Sequence, residues 1–101
     1  MRIYLPATLG DVELLAAGSA LAAQVFVPAT DDEEGEFAAF GEAAQLGAVV
    51  ISADVEASDA PLTIDNVASF HVDIDGSGDL AWFATQEIDA VLLALRSTTP
   101  G

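Results

Sequence analysis

The sequence predicts an α/β domain: a two-layer sandwich with a four-stranded sheet, elements in the order β-α-β-α-β-β-α, and helices mainly on one face. Three observations predict it. The segment RIYLPAT at 2–8 recurs as QVFVPAT at 24–30. Two later stretches, AVVISADV at 48–55 and ASFHVDI at 68–74, have the apolar, β-branched or alternating character of strands. The segment LAWFATQEIDAVLLALR at 80–96 carries apolar residues at helical spacing.

Each copy of the repeat reads as a strand-to-helix joint. A short apolar run meets a proline, which holds the preceding residue extended, and a threonine follows where a helix can begin. Thr8 is followed three residues later by Asp11, and Thr30 by Glu33, variants of the capping-box spacing. The first helix is expected from Leu9 to Ala17, with Leu9, Val12, Leu15 and Ala16 near one face and Gly18 as terminator. The second is expected from Asp31 to Leu46. Its acids Asp31, Asp32, Glu33 and Glu34 suit a positive helix N-terminus, and Phe37, Phe40 and Ala44 supply an apolar stripe.

Strands at 48–55 and 68–74 are separated by a polar loop, 56–66. In the final helix, Leu80, Ala84, Ile88, Val91 and Leu95 share one side, while Trp82, Thr85, Gln86, Asp89 and Arg96 lie opposite. Glu87 falls near the edge of the apolar stripe, where a carboxylate needs an explanation. Two helical crossovers predict parallel neighbouring strands. Alternation places Ile3, Leu5, Val25, Val27, Val49, Ile51, Phe70, Val72 and Ile74 under the helices. The other face is mixed: Arg2, Tyr4, Gln24, Phe26, Val50, Ser52, Ser69, His71 and Asp73. That face is a candidate interface or shallow pocket.

A chain of 101 residues is one domain by length, here 1–96 with 97–101 as a flexible tail, and can bury roughly 65% of its unfolded surface. It has no cysteine, so disulfides, thiolate-bound zinc and thiol nucleophiles are excluded. Its start lacks the pattern of a signal peptide and no apolar run is long enough for a membrane helix, so a cytoplasmic location is expected. Seventeen acids face only Arg2 and Arg96, for a net charge of −15. Such a chain is repelled by phosphate backbones and anionic membranes; no direct nucleic-acid or membrane binding is expected, and a protein partner or a second copy is. A solubilising role for the charge is the bland alternative.

Two motifs carry candidate chemistry. In DIDGSGDLAWFA, Asp73, Asp75, Ser77 and Asp79 take the early positions of a calcium loop, but its twelfth position is Ala84 and not a bidentate carboxylate. The ordinary reading is a turn with Asp79 capping the last helix, with no metal and no cofactor. His71, the one histidine, could shuttle a proton with Glu87 or Asp73 orienting it, although a lone strand histidine is more often an ordinary surface or interface residue. Trp82 on the outer side of its helix suggests a contact.

The blocks MRIYLPATL, VVISADV, VASFHVD and WFATQEI, in that order, resemble an uncharacterised domain-of-unknown-function family of actinobacterial proteins. Its members begin with a similar Tyr-x-Pro-Ala-Thr segment and end in a Trp-Tyr/Phe-Ala-Thr-Gln-Glu helix; this chain looks like a shortened form. The resemblance implies no activity. It directs attention to Tyr4, Thr8, His71, Trp82, Thr85, Gln86 and Glu87 without assigning roles. The leading expectation is a non-enzymatic domain acting by protein–protein contact or self-association, through the mixed face or Trp82. The alternatives are a small enzyme or ligand-binding domain using His71, Glu87, Thr85 and Gln86, and an acidic nucleic-acid mimic.

Overall fold

A computed structural model of the chain describes residues 1–21, 25–28, 32–47, 49–57, 61–73 and 80–98. Among these, four strands form one sheet in the order β1-β2-β3-β4: β1 Arg2–Ala7, β2 Val49–Asp54, β3 Val67–Val72 and β4 Ala81–Ala84. Three α-helices accompany it: α1 Leu9–Ala16, α2 Glu33–Ala44 and α3 Ile88–Thr98. The α/β class and the four-stranded sheet agree with the sequence. Several details differ.

All strand pairs are antiparallel, where parallel neighbours were expected. The reason lies at Gly47. A Cβ there would meet the Ala7 backbone N at 3.0 Å and O at 3.1 Å, so the chain leaving α2 is pressed against the end of β1. From that end β2 can only run back alongside β1, and Val49 duly stands opposite Ala7. The expected second strand at 24–27 is, in its described part, a single bridge. Phe26 N donates to Tyr4 O at 2.8 Å and Tyr4 N to Phe26 O at 3.0 Å.

The third difference is the last helix. It begins at Ile88, after β4 and the 3₁₀ turn Thr85–Glu87. Leu80 and Ala84 therefore do not belong to the helical stripe, although Val91 and Leu95 do and are buried. Glu87 explains the boundary: its Oε1 accepts the Ala84 N–H at 2.9 Å, tying off the end of a strand at the start of a helix. That is also the explanation for a carboxylate at the edge of an apolar stripe. The helix extends to Thr98, two residues into the expected tail.

The joint after β1 is built as the sequence implied. Thr8 Oγ1 accepts the Asp11 N–H at 3.2 Å, and Asp11 Oδ2 accepts the Thr8 N–H at 3.0 Å. Gly18, at φ +84°, ends α1 as expected; the Ser19 N–H then reaches back to Leu14 O at 2.9 Å. Thr30 and Asp31 lie outside the described residues. Asp32 caps α2, accepting the Gly35 N–H at 2.9 Å.

The apolar face is as alternation assigned it. Ile3, Leu5, Val49, Ile51, Phe70 and Val72 are buried together with Val12 and Leu15 of α1 and Val91, Leu92 and Leu95 of α3. A bulge between Ser52 and Ala53 puts Val67 opposite Ala53 and into the same core. Val27, expected there, is exposed. The helix α2 lies on the opposite face, packing Ala39, Ala43 and Phe40 on Tyr4 and Val50. Its buried line runs through Gly35, Ala39 and Ala43, so Phe37 points outward instead of into the expected stripe.

Candidate functional site

The mixed face is the floor of a cleft. Cross-strand register brings Tyr4 opposite Ser52, Ser52 opposite Ser69, and His71 opposite Trp82. The helix α2 packs mainly on β1 and β2 and reaches β3 through Phe40 on His71, which leaves the β4 side of the floor more open. Between helix and sheet lies an open cleft of about 420 Å³, lined by Arg2, Tyr4, Ser52, Ser69, His71 and Trp82 from the sheet and by Glu33, Glu36, Phe37 and Phe40 from the helix.

His71 sits at the centre of a polar patch in this floor. Its Nε2 lies 2.9 Å from Ser69 Oγ and 3.4 Å from Ser52 Oγ. Its ring meets Phe40 at 4.9 Å and 84°, and Phe40 meets Tyr4 at 5.8 Å and 87°, edge-to-face geometries that aromatic pairs favour. Burial pushes the histidine pKa below its ordinary value, so the ring is neutral at neutral pH. Burial, with the Glu36 carboxylate as the next cause, holds the Tyr4 phenol above its ordinary value; Tyr4 is a neutral hydroxyl there. At the end of the cleft Arg2 is clamped from outside the lining by Asp54, Nε to Oδ1 at 2.9 Å and Nη2 to Oδ2 at 3.2 Å.

The lips are aromatic. Phe37 on α2 is 78% exposed and Trp82 on β4 is 62% exposed. Compared with family models, with curated proteins and with solved structures, the chain matches none. The site must therefore be read from its own chemistry.

Of the residues singled out from sequence, Tyr4, His71 and Trp82 come together in the cleft. Phe26 packs behind it, against the cluster of Tyr4, Val50 and Phe40. Thr85, Gln86 and Glu87 do not line it. Thr85 Oγ1 donates to Val67 O at 2.6 Å, Glu87 caps the turn, and Gln86 is exposed, so the expected convergence of these three with His71 is not formed. Asp73 follows the last residue of β3, while Asp75, Ser77 and Asp79 lie outside the described residues. Among the described residues no three acidic, histidine or cysteine side chains come together as a metal site, and no helix is long and apolar enough to cross a membrane.

The helix side of the cleft was missed. Glu33, Glu36, Phe37 and Phe40 recur at intervals of three and four, which is one face of a helix. That signal was visible, but nothing local says which side of the sheet α2 will cover.

Proposed function

We propose that this chain is a non-enzymatic, cytoplasmic binding domain that works by protein–protein contact, with the cleft between α2 and the β3–β4 side as its docking surface. One observation carries the reading: two large aromatics, Phe37 and Trp82, stand mostly in water on the two sides of one cleft. Large rings gain most from burial, and aromatic residues are enriched at the energetic centres of interfaces. A net charge of −15 sets the sign of the partner, since two copies of this chain repel one another whereas a basic surface is attracted. Membership of the domain family it resembles would add no activity to this reading.

Affinity capture from native cells tests it with three baits: the natural chain, the Phe37→Ala/Trp82→Ala double variant, and Leu93→Ala, which alters an exposed residue of α3. Proteins held by the natural chain and by L93A should be lost from the double variant. An identical set on all three baits rejects the cleft as the docking surface.

A second reading is favoured by the 2.9 Å between Ser69 Oγ and His71 Nε2, a nucleophile-to-base distance. Against it, Ser69 is only 5% exposed, which leaves little of the residue open to a substrate. Labelling by a serine-directed fluorophosphonate that disappears in Ser69→Ala would establish this reading; absence of labelling removes it.

A further inference from the structure

We infer that the cleft seats an organic cation, the ammonium or guanidinium of a lysine or arginine side chain presented by the partner. This rests on the docking reading above and adds the chemistry of what is docked.

Three observations converge on it. First, the lining combines aromatic rings with acid: Tyr4, Phe37, Phe40 and Trp82 beside Glu33 and Glu36. Glu33 and Glu36 stand three apart on α2, so both carboxylates lie on the helix face that looks over the cleft. Aromatic faces attract cations through their quadrupole, most strongly where water is displaced, and a carboxylate beside them adds a charge-assisted hydrogen bond.

Second, no side chain of the protein supplies a free cation for these groups, and the Met1 ammonium is bonded to the Val55 carbonyl. The chain has no lysine. Arg2 is held at two points by Asp54, so its charge is already answered at the end of the cleft. Arg96, the other arginine, is bonded to Glu13 at 3.2 Å, joining α3 to α1 on the opposite side of the sheet. His71 is kept neutral by its burial. With Arg2 neutralised by Asp54, the lining carries the two glutamates uncompensated, and a positive group must come from outside.

Third, the cleft has room for one long side chain, and the charge of −15 on each copy disfavours a second copy as its source. At about 420 Å³ the cleft is of the volume that takes a small ligand or one long side chain. A second copy offers no lysine, and both of its arginines are engaged. The occupant is therefore a basic segment of a different protein.

The one tryptophan reports on the site directly. Acetylated and amidated pentapeptides, glycine apart from a central lysine, arginine, norleucine or glutamate, are titrated into the ¹⁵N-labelled protein at about physiological salt. The Trp82 indole N–H resonance is followed. The lysine and arginine peptides should shift it saturably, and the norleucine peptide, which has the apolar chain without the charge, should bind at least about tenfold more weakly. Glu33→Gln/Glu36→Gln should weaken the lysine peptide about tenfold. Glu34→Gln/Glu42→Gln, which removes the same charge from exposed positions of α2 outside the lining, should leave it unchanged.

The inference is overturned if norleucine binds as well as lysine, if the two double variants behave alike, or if no peptide moves the Trp82 signal. Its failure is distinct from that of the docking reading. Partner capture that still depends on Phe37 and Trp82 keeps the cleft as a docking surface for an apolar group, while capture independent of them rejects the surface itself.

Discussion

Ser69 Oγ lies 2.9 Å from Nε2 of His71, two residues along the same strand, and the Ser52 hydroxyl approaches the same nitrogen from β2 at 3.4 Å. The patch is held beneath Phe40, where burial disfavours the imidazolium and lowers the His71 pKa from 6.5. The native protein therefore takes up this proton at lower pH than the unfolded chain does. Where the unfolded state binds more protons, stability rises with pH. The contribution of His71 is thus intact above pH 6.5, falls as pH drops through that value, and levels off below the native pKa. Urea unfolding at about pH 7.5 and about pH 5.5 should show the natural chain losing more stability, or gaining less, than His71→Gln. Relief of acidic repulsion is common to both proteins and cancels in the difference. Equal pH responses would show that His71 is not desolvated.

How much of this could be read beforehand depends on the range of the interaction. Thr8 with Asp11, Gly18, and the alternation of Ile3, Leu5, Ile51 and Phe70 are local signals, and each predicts its own structure. The mixed face was legible for the same reason, since Tyr4, Ser52, Ser69 and His71 follow from period two once the strands are placed. The strand β4 was not legible because Ala81–Ala84 shares its apolar positions with the helical stripe that follows. Pairing with Ser69–Val72, remote in sequence, decides the matter against a helix. The antiparallel order was hidden likewise: it depends on Gly47 meeting Ala7, a contact between opposite ends of two connections. The acidic and aromatic wall of the cleft depends in turn on that placement of α2.

Two glycines separate packing from propensity. At Gly41, inside α2, an added Cβ would meet nothing within 4 Å, so Gly41→Ala should stabilise the protein by about 0.5–1 kcal/mol through helix propensity alone. At Gly47 the added Cβ would lie 3.0 and 3.1 Å from backbone atoms of Ala7 and 3.1 Å from Pro6 Cβ. Backbone cannot rotate away, and Gly47→Ala should destabilise by about 1–3 kcal/mol. Denaturant midpoints of the two variants should move in opposite directions; a shift in the same direction would contradict the close approach at Ala7.

Charge makes a separate demand on stability. The two ion pairs, Arg2–Asp54 and Arg96–Glu13, are solvent-exposed and contribute little, whereas a net charge of −15 opposes compaction throughout. Raising sodium chloride from about 10 mM to about 500 mM screens both effects, and the repulsion is the larger. The melting temperature should rise over this range. A fall would mean that the ion pairs outweigh the net charge.

Two caps distinguish framework from site. Thr8 ties off the start of α1 with Asp11, and Glu87 ties off the turn before α3 by accepting the Ala84 N–H. Both were singled out in sequence among residues that could bear function, and neither lines the cleft. Replacing a capping oxygen leaves a backbone N–H to find water, a loss of about 1 kcal/mol. Thr8→Ala and Glu87→Ala should each lower unfolding stability by that amount, and because the two caps sit on separate helices the losses should add in the double variant. Partner capture and the response of the Trp82 signal to the lysine peptide should be unchanged in the folded protein. A variant that kept its stability but lost binding would move Thr8 or Glu87 from the framework into the site.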